Sequence, residues 1–422
     1  LFSPRLWLHR RRYPERHAQL EILLRNQALT REALLRKQRA DFAAIVAYAA
    51  ANVPYYAECL ARNPDSIPIL EKDVVRERLD DLLARDADRR QVKLGHTGGS
   101  TGKPLAFWYD QAKHELMRAG MMRGFMMSGW RPGQKVLNFW GARQDVAAGG
   151  VFGASWSDLI AAEKTIAATE YSEAKLHEWA RRVRRFQPVL LYGYASAMSE
   201  LARFVIANRM PMPRSLIGVY STAEVLTDAQ RELMQQAFGC KVFNQYGCRE
   251  VPNIAWECRH GNMHVFADLV YLESLRADGE DRLLVTSLTN RLMPFIRYNL
   301  GDTGRLLDGE CACGSPFPLM EMGMCRRNDW IRTRAGKSIH PGVFIHLLDG
   351  QTQIRQYQWV QTGLDRIVLN LVASEKLSTE MQAKLIDKIR QAMGADVMLE
   401  VNYLDEIPRT VSGKQRFVIG MG

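Results

Sequence analysis

The sequence predicts an α/β fold: a large N-terminal domain of parallel strands flanked by helices, followed by a small α+β C-terminal domain. Three observations predict it. Short apolar runs bounded by turn residues, "KVLNFW", "VLLYGY", "LIGVYST" and "KVFNQYG", alternate with amphipathic stretches at 173–186, 195–207 and 227–238. The 422-residue chain is 47% apolar and 24% charged, an ordinary composition for a soluble protein with a sizeable core. After a Gly- and Cys-bearing loop, "DGECACGSP", the rest reads strand, helix, strand, strand, helix, strand, which sets two domains, 1–326 and 327–422.

The elements follow in order. From Leu20 to Leu60 apolar residues recur three and four apart with charges between them, a helical pattern that Pro54 is expected to end. Residues 73–83 also read as helix, "PLAFWYD" as a strand, 111–128 as a Met-rich helix and "RLLVTSL" as a further strand. There is no internal repeat and no low-complexity tract.

The formal charge of +11 sits largely in Arg-rich segments such as "HRRRYPERH", "LLRKQRADF" and "WARRVRRFQ". It reads as a solvated basic surface; no zinc finger, RNA-recognition motif or basic zipper is present, so no specific nucleic-acid partner is expected. Seven scattered cysteines do not make a secreted disulfide scaffold, and a reducing cytoplasm fits them better. No apolar stretch reaches membrane-spanning length, and no signal-peptide pattern is seen. The segment "LFSPRLWLHRRRYPERH" leaves contact with a membrane surface open.

Residues 96–110, "HTGGSTGKPLAFWYD", form a Gly/Ser/Thr loop that enters a strand at a proline. The Walker loop requires G-x-x-x-x-G-K-[ST]. Here Pro104 follows Lys103, and Thr97 stands where the first glycine belongs, so that reading fails twice. What remains is a loop whose bare N–H groups and hydroxyls can meet phosphate oxygens.

This loop resembles the T-S-G-[ST]-T-G-x-P phosphate loop of the adenylate-forming enzymes, and four further segments match that superfamily in order. "YSTAEVLTDAQRELMQQAFGCKVFNQYGCRE" resembles the stretch from its S-E-P-L turn to its aromatic Y-G-x-x-E motif. "MPFIRYNLGDTGRLL" resembles P-L-I-R-Y-R-T-G-D-x-x-R, and "CRRNDWIRTRAGKSIHPGVF" resembles the hinge stretch. "IPRTVSGKQRFVI" resembles L-P-R-T-x-x-G-K-x-x-R. The chain length, the opening "VAYAAANVPYYAECL" and the T-G-G-S-T-G-K-P variant resemble the phenylacetate–CoA ligase branch, with its coenzyme F390 synthetase and CapK-like members.

The resemblance implies that a carboxylic acid attacks the α-phosphate of ATP, giving acyl-AMP and pyrophosphate. A carboxylate is already a nucleophile, so the chemistry needs cations and N–H donors for the developing charge rather than a base. By position, Lys414 bridges carboxylate and phosphate, and Glu250 binds Mg2+. Thr97, Gly98, Gly99, Ser100, Thr101, Gly102 and Lys103 cradle phosphate. Asp302 accepts the ribose hydroxyls, Arg305 and Arg326 sit near ribose and phosphate, Tyr246 and Gly247 lie at adenine, and Glu224 belongs to the turn where Val225 replaces proline. Asn328 and Asp329 form a hinge on which a mobile lid swings. Gly98 removes a hydroxyl donor that many relatives carry, and Asn328 stands where an acid is usual.

Phe139, Trp140 and Tyr220 are expected to line the acyl pocket, while Arg143 and Asp145 hint at a polar acid or at a second substrate with its own charges. Coenzyme A is the expected acceptor. Transfer to an amine, a stable acyl-nucleotide product and a degenerate nucleotide-binding protein stay open; a polyanion-binding role rests on charge alone. A homodimer is allowed. Cys258, Cys311 and Cys313 with His264, or His260 in its place, supply the donors for a structural Zn2+, and the branch resemblance implies the same.

Overall fold

The computed structural model describes residues 4–63, 66–97, 105–140, 162–168, 172–277, 280–326, 331–336, 338–339, 341–348, 351, 353–408 and 415–421. The chain opens with helices α1 (Pro4–Arg12), α2 (Pro14–Gln27), α3 (Arg31–Asn52), α4 (Pro54–Arg62) and α5 (Lys72–Glu77). The single helix expected between Leu20 and Leu60 is therefore three pieces. Thr30 caps α3 by accepting from the Ala33 amide at 3.2 Å, and Pro54 starts α4 at its first turn instead of ending a helix. The expected 73–83 helix shortens to the six residues of α5.

A hairpin of β1 (Lys93–His96) and β2 (Ala106–Tyr109) flanks the glycine loop, and Asp110 caps the following helix α6 (Gln111–Met126) through the Lys113 amide at 2.7 Å. Then come β3 (Val136–Trp140), β4 (Glu163–Ala167), α7 (Glu173–Phe186), β5 (Leu190–Tyr194), α8 (Ala195–Ala207), β6 (Gly218–Thr222), α9 (Asp228–Phe238) and β7 (Lys241–Tyr246). Thr227 and Gln230 form a reciprocal capping box at α9, and Gly239, at φ +65°, ends it. The strands β8 (Ala255–Glu257), β9 (Met263–Val265), β10 (Val270–Ala277), β11 (Glu280–Ser287), β12 (Tyr298–Leu307) and β13 (Leu319–Arg326) complete an eleven-stranded sheet.

Its order is β10-β11-β12-β13-β9-β8-β7-β6-β5-β3-β4. Strands β4, β3, β5, β6 and β7 are parallel, as the β–α alternation requires, whereas β8 and β9 run antiparallel and make the sheet mixed. One face packs Leu137, Phe139, Leu191, Val219 and Val242 against Trp179, Val183, Met198 and Leu201 of α7 and α8. The other face carries α6, where Gly124 is obligatory: a Cβ there would meet the Trp256 ring at 2.2 Å.

Helix α6 is also pinned by three buried ion pairs. Arg118 pairs with Glu163 at 2.7 Å, Arg123 with Asp268 at 2.7 Å, and Glu115 with Arg16 at 2.8 Å. Burial raises the Glu115 carboxyl, but hydrogen bonds from His114 and Arg16 outweigh it and hold the group at about 2. Replacing a single partner of such a pair would strand a buried charge.

Among the described residues the chain divides into two compact units, the first holding residues up to 300 and 304–321, the second 301–303, 322–408 and 415–421. In the second unit, β14 (Ile331–Arg332) pairs with β15 (Ser338–Ile339), and α10 (Gly342–His346) follows. A four-stranded sheet of order β18-β17-β16-β19 joins β16 (Ile354–Gly363), β17 (Arg366–Ala373), β18 (Met398–Tyr403) and β19 (Val418–Ile419). Helix α11 (Thr379–Met393) buries Leu385, Ile389 and Met393 against Trp359, Ile367 and Leu369.

Candidate active site

The carboxyl ends of parallel strands are where open α/β sheets bind ligands, because the loops there leave the sheet between helix N-termini. The glycine loop is closed at its neck. Thr97 donates its amide to the Leu105 carbonyl at 2.8 Å, and its hydroxyl accepts from the Leu105 amide at 2.9 Å. The Thr97 side chain thus closes the loop in this conformation. Gly98, Gly99, Ser100, Thr101, Gly102 and Lys103 lie outside the described residues, as do Asn328, Asp329, Lys414, Arg143 and Asp145.

The aromatic motif after β7 reaches the same neck: Arg249 donates to the His96 carbonyl at 2.7 Å. Within that motif Tyr246 is buried, and Gly247 turns in a space where a Cβ would stand 2.9 Å from the Asn253 amide. Glu250 is buried and accepts from the Tyr298 hydroxyl at 3.0 Å. Lys113, which the sequence did not single out, donates to the Glu250 carbonyl at 2.9 Å and lies over the Phe107 and Phe295 rings. Burial lowers its ammonium to about 8. An amine in the first turn of a capped helix carries no sequence signature that separates it from a surface lysine.

Glu224 follows Ala223, a residue at φ +67°, and accepts from the Ser196 amide at 2.8 Å and the Ser196 hydroxyl at 3.0 Å, at the N-terminus of α8. A carboxylate there satisfies helix N–H donors and faces the positive end of the helix dipole. Asp302 lies on β12 beside Gly301, which adopts φ +75°. Arg305 forms an exposed pair with Glu321 at 2.8 Å. Arg326 ends β13.

The three aromatics expected at an acyl pocket separate. Phe139 is fully buried on the α7 face against Trp179, with ring centroids 5.5 Å apart, and belongs to the core. Tyr220 is equally buried; its hydroxyl donates to the Gly124 carbonyl at 3.0 Å, and its ring packs on Phe125, Phe243 and Trp256. Successive strand residues face opposite sides, so the pattern that names three aromatics cannot say which faces a ligand. Trp140 alone is half-buried, at the carboxyl end of β3, stacked on Tyr192 at 5.9 Å and near Tyr194 at 5.1 Å.

A separate cluster lies where β8, β9 and the loop before β13 meet. The Sγ atoms of Cys258, Cys311 and Cys313 and a ring nitrogen of His264 all lie within 4.8 Å of one another. Cys258 and Cys311 are 3.7 Å apart, and Cys313 is 3.3 Å from Nε2 of His264. Two thiolates on a tetrahedral zinc, at about 2.3 Å each, stand roughly 3.8 Å apart. The donor set and spacing therefore fit zinc. The other His264 nitrogen, Nδ1, lies 3.4 Å from the Phe317 carbonyl, an arrangement that leaves Nε2 to face the sulfurs. The amides of His260 and Cys313 donate to Cys258 and Cys311, each at 3.4 Å. Burial pushes the Cys311 thiol up, but the Cys313 amide and the Asn262 side chain outweigh it and favour the thiolate. His260 contributes its backbone to the cluster, and His264 its ring.

The family model described as "CapK C-terminal domain" matches residues 331–420. Over 404 residues the chain is 24% identical to protein CapK of Staphylococcus aureus, covering 92% of this chain and 89% of that one. It is also 24% identical to phenylacetate-coenzyme A ligase of Thermus thermophilus, covering 94% of this chain and 98% of the other. Among solved structures, 2-hydroxyisobutyryl-CoA ligase in its postadenylation state, in complex with R3-HIB-AMP, superposes with a TM-score of 0.73 at 17% identity, covering 94% of this chain and 91% of that chain. Taken with the ordered motifs, these likenesses all fit the adenylate-forming superfamily, in the branch of the phenylacetate–CoA ligases and CapK.

Proposed function

We propose that this AMP-forming ligase activates a small carboxylic acid with ATP and Mg2+, releasing pyrophosphate, and passes the acyl group from acyl-AMP to coenzyme A. The observation that carries the reading is the tie from Arg249 to His96, which joins the loop of Tyr246, Gly247 and Glu250 to the neck of the glycine loop. That tie supports a shared site for the two segments, which are distant in sequence. Glu250, held by Tyr298 and Lys113, is oriented to take Mg2+, whose charge offsets the phosphates when bound. Lys414 supplies the cation that bridges carboxylate and α-phosphate, Asp302 accepts the ribose hydroxyls, and Asn328 and Asp329 let the C-terminal domain swing between the two half-reactions.

Cys258, His264, Cys311 and Cys313 hold a structural zinc. Four protein ligands leave no open position for substrate, so the metal would pin β8 to the loop before β13 rather than take part in chemistry. Acid-dependent pyrophosphate release across a panel of acids, followed by mass analysis of the product with coenzyme A, with an amine or with neither, tests the reading. Release with no acid, or a product lacking the thioester, would remove the corresponding half.

A further inference from the structure

Asn138 stands at the centre of β3, fully buried, and among the described residues neither its amide nitrogen nor its carbonyl oxygen has a hydrogen-bond partner. Native interiors leave few such groups unpaired, and each costs the desolvation it suffers without return. An amide orphaned at both atoms calls for a partner that arrives with something else.

Its surroundings say what kind. The strand register sets Asn138 beside Tyr192, and Trp140 lies two residues further along the same face. Around Tyr192 this face is mixed: the ring packs on Phe125, Trp140 and Trp256, and polar groups gather beside it. The Tyr192 hydroxyl is bonded to Thr222, Thr222 to Gln245, and the buried Arg118–Glu163 pair is close enough to act on Tyr192. The opposite face, with Leu137, Phe139, Leu191 and Val219, belongs to an apolar cluster, so the polar groups gather on the side of Asn138 and Tyr192. A pocket for a plain aryl or alkyl acid would gain nothing from an unpaired amide beneath its aromatic wall.

We infer that Asn138 is a specificity-determining residue, and that the acid activated here carries a neutral group able to donate and accept hydrogen bonds, a hydroxyl or a carboxamide, which seats on Asn138 below Trp140. The inference rests on the adenylation reading and adds the substrate class to it. A site built to hydrogen-bond such a group discriminates strongly against an analogue lacking it, because the protein amide is then left unpaired.

The test is pyrophosphate release by the full chain with ATP and Mg2+, using acids in matched pairs: 3-hydroxybutyrate against 3-methylbutyrate, 4-hydroxyphenylacetate against 4-methylphenylacetate, and glutaramate against 5-methylhexanoate. The polar member of at least one pair is expected to be favoured in kcat/KM by about 10² or more, and Asn138→Leu to cut that preference at least about tenfold while ATP affinity by calorimetry is unchanged. Equal or better use of the methyl members by the wild type overturns the polar-acid inference and leaves adenylation standing. An unchanged ranking in Asn138→Leu overturns the assignment to Asn138. ATP binding without release for any acid removes the adenylation reading and this inference with it. Should Asn138→Leu not fold, the wild-type ranking alone still decides the substrate class.

Discussion

Lys113 Nζ donates to the Glu250 carbonyl at 2.9 Å, so the first turn of α6 holds the backbone of the proposed magnesium ligand. The bond is charge-assisted and lies over two aromatic rings. Lys113→Met removes the donor and keeps the stem; it is expected to cost about 1.5–3 kcal/mol in the Mg2+-dependent step. The Mg2+ concentration for half-maximal pyrophosphate release should rise, with the fold intact by circular dichroism. An unchanged Mg2+ dependence would count against a positioning role.

Lys414→Ala should slow adenylation by roughly 10²–10³, the usual loss for one transition-state charge contact. Transfer from supplied acyl-AMP to coenzyme A should change far less, because the proposed cycle withdraws Lys414 before transfer. Equal loss in both half-reactions would contradict the role given to Lys414.

Asp302→Ala should weaken ATP binding by about 1.5–3 kcal/mol, since the ribose hydroxyls lose a charged acceptor. Calorimetry with ATP measures this directly. Arg305→Ala provides a contrast in stability, because its pair with Glu321 is exposed and is expected to contribute at most ~1 kcal/mol.

Elemental analysis of protein purified without added metal should find about one zinc per chain. The double variant Cys311→Ser, Cys313→Ser should lose the metal and melt earlier, since it removes the anchors of one of the two joined segments. Zinc retained in that variant would show that the metal sits elsewhere.

His9 and His17 are both buried, with Nδ1 of His9 2.7 Å from Nε2 of His17. Burial, helped by Arg16, lowers His9 to about 3; burial, helped by Arg10, lowers His17 to about 4. Below the ordinary histidine value of 6.5 the unfolded chain binds protons that the folded chain refuses, so stability is full above that pH and falls as pH drops toward 4. At pH 5 the loss is of order 2 kcal/mol per histidine. Melting temperature should drop from pH 7 to pH 5, and His17→Gln should flatten that dependence.

The order of elements and the class of reaction are legible in the chain's local patterns. Alternation of apolar runs with amphipathic stretches is a local property, so β3, β5, β6, β7 and the helices between them were legible. The motif spacings that single out Glu250 and Asp302 as candidates are local as well. The donor set of Cys258, His264, Cys311 and Cys313 was readable as residue types, but not the choice between His260 and His264, which depends on β9 pairing with β13 at His264 and Leu319. The rest depends on long-range packing. It broke the long N-terminal helix, since a periodic pattern continues unmarked through Thr30 while a cap fixes the break. Buried strands covered on both faces read as apolar throughout, so no period-two signal told Phe139 and Tyr220, both held in the core, from Trp140 at the strand end. Lys113 and Asn138 were invisible for the same reason. A lysine or an asparagine gains its meaning from what surrounds it, and those surroundings include distant segments, Glu250 and Phe295 for Lys113 and Tyr192 for Asn138.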